Sequence, residues 1–265
     1  LMLLKSNIVN RKYSIYIALP ETYNKNKQKQ YPVVYLLDAN YYFAMTTEIT
    51  RMMALNSKFP ETIIVGIGYP VDIFSKDGSK NIFSLRVNDL SPIIDKKFEK
   101  SYENWIIKYP IKTGGAYKFL QFIKSELVPI ISKQYRIDKN KRIIAGHSIG
   151  GLFSLYALFN QPELFDGYIA GSPSIWYGRK YILKYEKKYA NKHNELPFKI
   201  HLSVGALEEN DKDSSMISDT IQLYKNIKSR KYKGINITKN IVSNCDHTAT
   251  PAQSFQVGLM KILKD

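Results

Sequence analysis

The feature that most constrains this chain is the heptapeptide Ala145-Gly146-His147-Ser148-Ile149-Gly150-Gly151, set between Arg142-Ile143-Ile144 and the apolar run from Leu152 to Phe159. A β-branched run ends, glycines flank one serine, and a helical run begins. A chain that turns so abruptly from strand to helix has no room for side chains beside the turn. Glycines two residues before and two residues after the serine supply that room. The turn holds the hydroxyl clear of the sheet and aims the free N–H groups of the next helix at whatever the oxygen attacks. Gly146-x-Ser148-x-Gly150 at such a junction is the pattern of a nucleophile elbow. The competing reading is a glycine-rich turn with a capping serine. The strand before it and the apolar helix after it favour the nucleophile.

The elbow sits within a regular alternation. Strand-like runs occur at Tyr13 to Leu19, Val33 to Leu37, Thr62 to Ile67, Arg142 to Ala145, Gly167 to Ala170, Ile200 to Val204 and Ile235 to Val242. Helical periodicity lies between them, at Ala116 to Tyr135, Gly151 to Asn160, Ser214 to Lys228 and Ala252 to Leu263. Strands that alternate with helices predict a mostly parallel sheet with helices on both faces, opening with an antiparallel portion. Residues 72–115 and 174–197 fit this rhythm poorly. They are read as insertions over the C-terminal edge of the sheet, where open α/β sheets bind ligands. No linker divides the chain, so residues 1–265 read as a single domain.

A serine hydroxyl needs a base, and four histidines are available. His147 lies inside the elbow and should point away from the hydroxyl. His193 reads as surface, and His201 as a packed strand residue. His247 follows the last strand-like run, in Asn244-Cys245-Asp246-His247-Thr248, and is the expected base. The imidazole needs an orienting acid, which in this chain order follows the preceding strand. Gly205-Ala206-Leu207-Glu208-Glu209 offers Glu208 first and Glu209 second. Asp211 and Asp213 read as solvated loop, and Asp246 is too close in sequence to its neighbour. The expected oxyanion donors are the N–H of Ile149 and, from the loop after Val33 to Leu37, the N–H of Ala39 or Asn40.

Bulk properties narrow the class. The formal charge is +16, which suits an anionic ligand but reads first as a lysine-rich solvated surface. No block of five or six basic residues stands out, and no nucleic-acid partner is expected. The single cysteine, Cys245, rules out an internal disulfide and a thiolate metal cluster. No apolar run reaches the roughly 18–20 residues of a membrane helix. Leu1 to Ser6 is too short for a signal h-region. The compartment, whether cytoplasmic, periplasmic or exported, is left open.

The blocks Gly114-Gly115-Ala116-Tyr117-Lys118-Phe119-Leu120, Glu126-Leu127-Val128-Pro129-Ile130 and Gln134-Tyr135-Arg136 precede the elbow. Leu158-Phe159-Asn160-Gln161-Pro162-Glu163-Leu164-Phe165-Asp166-Gly167-Tyr168 and Ser172-Pro173-Ser174-Ile175-Trp176 follow it. Together they resemble the putative-esterase family of α/β-hydrolases, and within it the enterochelin-esterase branch, the siderophore trilactone hydrolases. The resemblance runs from about Tyr13 to the final helix. It implies an α/β-hydrolase fold and serine ester hydrolysis without cofactor or metal. It also implies nucleophile Ser148, base His247 and acid Glu208 in a Gly-x-x-Glu loop. It places Arg86 and Asp89 near the pocket, where an arginine could hold an acidic or catecholate oxygen, and the Trp/Tyr-rich insertions (Tyr102, Trp105, Tyr109, Trp176, Tyr177) suit an anionic aromatic ligand. The expected partner is a small-molecule ester, anionic or a ferric siderophore. The alternatives are a generic carboxylesterase, deacetylase or S-acyl hydrolase, and a non-catalytic binder on the same fold. The chain departs from the family in two places. Leu37-Asp38-Ala39-Asn40 stands where Leu-Asp-Gly-Asp is common, so a positive φ at Ala39 would be costly. Ala206 stands where a further glutamate is frequent.

Overall fold

In the computed structural model, residues 1–104, 108–209 and 215–264 are described. Trp105, Asp211 and Asp213 lie outside them. Eight strands form one sheet: β1 (Met2–Ser6), β2 (Arg11–Ala18), β3 (Tyr31–Leu36), β4 (Ile63–Gly68), β5 (Ile137–His147), β6 (Gly167–Gly171), β7 (Lys199–Gly205) and β8 (Asn236–Val242). Their spatial order is β1-β2-β4-β3-β5-β6-β7-β8. β2 runs antiparallel to both β1 and β4, and every other pairing is parallel.

Alternation along the strands divides the core between two layers. Val33, Tyr35 and Leu37 enter one apolar cluster, while Val34 and Leu36 enter the other. The same split recurs in β6, with Tyr168 and Ala170 on one face and Ile169 on the other. Successive side chains of a strand point to opposite faces, so a strand buried on both sides must be apolar throughout.

The helices are α1 (Ala39–Leu55), α2 (Gly78–Leu90), α3 (Lys96–Ser101), α4 (Ala116–Phe122), α5 (Val128–Gln134), α6 (Ile149–Asn160), the short turn α7 (Tyr177–Lys180), α8 (Ile182–Ala190), α9 (Met216–Ser229) and α10 (Thr250–Leu263). A π-helical stretch, Ile123–Leu127, joins α4 to α5, so the predicted helix from Ala116 to Tyr135 is continuous. α1 and α10 cover one face, with Phe255 and Leu259 of α10 in its core. α2, α4, α6, α8 and α9 cover the other. Helix α6 is buried from Ile149 through Phe159, as a helix apolar on all sides must be.

Two expectations about the insertions change. Helix α8, inside 174–197, packs on α6 with Ile182 and Tyr189 in the core and is part of the helical layer. The helix α2, inside 72–115, packs on α4 and α6 and sends Ile82, Val87 and Leu90 into the core. It is a layer helix and not an overlay. Arg86 of α2 reaches the Asp38 turn after β3, and the later part, around α3, lines the cavity at the C-terminal edge. Among the described residues no helix is long and apolar enough to cross a membrane.

Candidate active site

The strands β3, β5, β6 and β7 end at one edge. Leu36 pairs with Ala145, His147 with Gly171, and Gly171 with Ser203. Two sharp strand-to-helix turns leave this edge side by side. One is Ser148, at φ 61 and ψ −123, leading into α6. The other is Asp38, at φ 54 and ψ 42, leading into α1. Both are non-glycine residues at positive φ, a strained state of order 1–3 kcal/mol each that clusters at functional sites.

The elbow closes through missing side chains. A Cβ on Gly146 would lie 2.3 Å from the carbonyl oxygen of Gly150, a main-chain atom that has nowhere to move. Ser148 is tied down on both sides of its Cα. Its N–H donates to the Gly171 carbonyl (2.9 Å), and its own carbonyl accepts from Leu152 (3.0 Å) and Ser174 (3.1 Å). Its Oγ lies 3.4 Å from the Oγ of Ser174. Among the described residues this is the hydroxyl's hydrogen-bond partner, and no bond joins it to His247. Resting hydrolase sites are often loose at this contact and tighten on substrate.

His247 and Ser148 line one cavity of about 570 Å³, together with Phe98, Tyr102, Ser174 and Trp176. The imidazole Nδ1 stands 2.6 Å from Glu208 Oε2. A carboxylate only accepts, so Nδ1 carries the proton and Nε2 is left as the acceptor. The other oxygen, Oε1, accepts from Ser172 Oγ (2.6 Å), the Gly205 N–H (2.7 Å) and Thr250 Oγ1 (3.0 Å). Burial alone would raise the pKa of Glu208. The bonds from His247, Ser172 and Gly205 outweigh it and hold the pKa down at about 2. Glu209 turns the other way, accepting from the N–H groups of Ile217 and Ser218 at the start of α9. Asp246 accepts from Thr248 and Ala249 N–H, both at 2.9 Å, and caps its own loop.

The other histidines separate clearly. His193 stacks on Tyr189 at 4.3 Å between ring centroids. His201 is fully buried and bonds Thr238, and burial with Lys261 nearby lowers its pKa to about 4. His147 is buried behind the base, its ring 4.5 Å from that of His247. Burial, helped by His247, lowers the His147 pKa to about 3, so this ring stays neutral.

The expected oxyanion donors fall at the two turns. Ile149 and Ala39 are the first residues of α6 and α1, positions whose N–H groups have no partner within the helix. The positive φ belongs to Asp38 and not to Ala39, so alanine costs nothing there. The Asn40 side chain bridges to the Tyr69 main chain in both directions.

Arg86 and Asp89 differ from expectation. Neither lines the cavity. Arg86 is buried and grips Asp38 through Nε (2.8 Å) and Nη2 (2.6 Å). Asp89 is fully buried and bonds Arg11, Tyr13 and Tyr69. Their charges are spent inside the protein; Arg86 secures the Asp38 turn and Asp89 the α2–β2 contact. Trp176 does line the cavity, facing Phe98 at 6.2 Å. Sequence reasoning did not reach Phe98 of α3 or the hydroxyls of Ser172, Ser174 and Thr250. The Ser172-Pro173-Ser174 run was the available signal for two of them.

Fold and site together define an α/β-hydrolase with a serine, a histidine and a glutamate at the edge of its sheet. The chain matches the model of the putative-esterase family over residues 6–80 and 71–265, and it belongs to that family. It is 36% identical over 242 residues to the ferri-bacillibactin esterase BesA of Bacillus subtilis strain 168, covering 88% of this chain and 78% of that one. It is 33% identical over 184 residues to the siderophore enterobactin esterase of Emericella nidulans, covering 67% of this chain and 58% of that one. Among solved structures, the BES protein from Bacillus cereus superposes with a TM-score of 0.81 at 28% identity, over 100% of this chain and 95% of that one.

Proposed function

We propose that the protein is a serine esterase that opens the ester bonds of a siderophore polyester, with Ser148 as nucleophile, His247 as base and Glu208 as orienting acid. The observation that carries the reading is the short Glu208–His247 pair in the cavity that also holds Ser148. Relatives named as siderophore esterases support the substrate class. So does the aromatic wall of Phe98, Tyr102 and Trp176 beside the serine, because flat, electron-rich rings stack on such side chains. The +16 charge favours approach of an anionic ferric complex.

The chemistry follows from the groups. The Ser148 hydroxyl turns from Ser174 to Nε2 of His247 and gives up its proton as Oγ bonds the ester carbonyl carbon. Negative charge collects on the carbonyl oxygen, where the N–H groups of Ile149 and Ala39 receive it. The intermediate collapses, the C–O bond to the leaving alcohol breaks, and that oxygen takes the proton from Nε2. Water then repeats the sequence, its proton passing to Nε2 and back to Ser148 Oγ, and the free acid departs. Glu208 stays ionised throughout and stabilises the imidazolium.

The test is a turnover panel of a ferric catecholate trilactone, its iron-free form, a simple acetyl ester and a thioester. The expected result is the highest kcat/KM on the trilactones. Turnover of acetyl esters or thioesters with both trilactones untouched would overturn the substrate reading.

A further inference from the structure

The segment Gly171–Ser174 touches both ends of the catalytic arrangement. The Gly171 carbonyl holds the Ser148 N–H, and the Ser174 N–H holds the Ser148 carbonyl. Between them, the Ser172 hydroxyl donates to Glu208 Oε1 at 2.6 Å, on the side of the carboxylate away from the imidazole. Ser172 is fully buried and sits at φ 37, strained for a residue with a side chain. Its N–H is fixed to Ser203 at 2.7 Å.

Thr250 offers Glu208 a second hydroxyl, but its one proton is contested. It lies 3.0 Å from Oε1 and 2.5 Å from the Asp246 carbonyl, and a hydroxyl donates once. Space for the carboxylate comes from Gly205, where a Cβ would fall 2.7 Å from Oε1 and 2.4 Å from Thr250 Oγ1. A backbone strained at one residue, with a glycine cleared opposite it, forms a built seat for the acid.

We propose that Ser172 is a positioning residue for catalysis: its hydroxyl locks Glu208, and the turn that carries it sets acid and nucleophile in one register. The proposal rests on the serine-esterase reading above. Several titratable or charged groups surround the acid. His247 and Asp246 come from its partner loop and Glu209 from its own. His147 comes from the end of β5, with Arg86 of α2 acting on that ring. A change at Ser172 alters none of them.

The informative variant is Ser172→Gly, because glycine relaxes a positive φ while removing the hydroxyl. Ser172→Ala removes the hydroxyl and keeps the strain. The expected result for both on a p-nitrophenyl ester is a kcat lower by about ten- to a hundredfold at unchanged KM, the worth of one hydrogen bond to a charged group. The acid limb of kcat/KM should also move to higher pH, since a carboxylate relieved of a donor pulls harder on the imidazolium. A second readout needs no turnover. The Nδ1–H proton resonance of His247, seen by NMR in the substrate-free protein, should shift in Ser172→Gly.

Wild-type kcat, pH profile and Nδ1–H resonance in a folded Ser172→Gly would overturn the proposal. So would failure of both variants to fold, which would make the hydroxyl structural. A wild type inert on every ester and unlabelled by a fluorophosphonate would instead overturn the esterase reading, and the NMR comparison would still decide the seat of Glu208.

Discussion

Replacing Glu208 by Gln tests the acid more sharply than removing it, because the structure dictates how the amide must sit. Oε1 receives donors from Ser172, Gly205 and Thr250. An NH₂ placed there would face at least the Ser172 and Gly205 donors, so the amide oxygen takes that position and the NH₂ turns to His247. The imidazole can answer only by accepting at Nδ1, which moves its proton to Nε2 and blocks acceptance from Ser148. Restoring the productive tautomer forfeits a hydrogen bond to a charged group, about 1.5–3 kcal/mol, and leaves donors opposed, about 1–3 kcal/mol. The His247 side chain is 46% exposed, so water relieves part of this and the lower half of the sum applies. That is a loss of roughly two to three orders of magnitude in kcat. Glu208→Ala imposes no tautomer, since water can enter and accept from Nδ1. We therefore expect Gln to be the slower enzyme although it is the more conservative change. Steady-state kinetics on a p-nitrophenyl ester, with circular dichroism to show folding, measures the order. A Gln variant within tenfold of wild type, or a folded Ala variant slower than Gln, would refute the tautomer argument.

Other outcomes follow from contacts of the same kind. Gly146→Ala drives a Cβ into the main chain of Gly150 and should cost at least about 3 kcal/mol in urea unfolding. Arg86→Met strands Asp38, which is 3% exposed, and should cost about 3–5 kcal/mol, whereas Arg86→Lys keeps the charge and should cost less. The depressed His147 (about 3) and His201 (about 4) bind protons in the unfolded chain before the folded one. Stability should therefore fall as pH drops from about 6.5 towards 3–4, by up to about 1.4 kcal/mol per pH unit for each ring. Below about 4.5, Glu208 (about 2) adds a further loss, because its carboxyl binds a proton in the unfolded chain while it stays ionised in the folded one. Melting temperatures between pH 3 and 7 would show this; a flat profile would count against neutral buried rings. Ser148→Ala should lower kcat/KM by about three orders of magnitude or more while the ligand still binds, checked by kinetics beside direct titration.

Much of this architecture was legible in the chain. The central strands β3 and β4 announce themselves by apolar β-branched runs, because a strand buried on both faces has few polar positions to blur it, whereas β8 carries exposed Asn236 and Lys239 and shows through its β-branched residues alone. Helix α1 does not, since its buried positions include Thr46 and Thr50 while Tyr41, Met52 and Leu55 are exposed; apolar periodicity is absent where threonine faces the core. Helix α2 misleads for a related reason. Its buried face carries Arg86 and Asp89, and charges that are paired through the fold look like a solvated surface when read in one dimension. β1 is an edge strand with alternate residues half-exposed and reads as a tail.

The site divides along the same line. Ser148 was legible because its strain must be relieved by glycines two residues away, a local requirement. His247 emerged because the other three histidines had local reasons to be elsewhere. What stayed hidden are the groups that act over long separations: Ser172 on Glu208, Arg86 on Asp38, Phe98 opposite Trp176. These depend on β6 lying between β5 and β7 and on α2 packing beneath α1's turn. The sheet order turns two remote residues at positive φ, Asp38 and Ser148, into neighbours. Adjacent strands end at the same edge there, and each turn needs a partner to hold it: an arginine for the first, the Gly171–Ser174 segment for the second. A hydrolytic site on this fold is thus a pair of strained turns braced from opposite sides. The braces, lacking any motif of their own, are where substitutions should alter the rate without touching the reacting atoms.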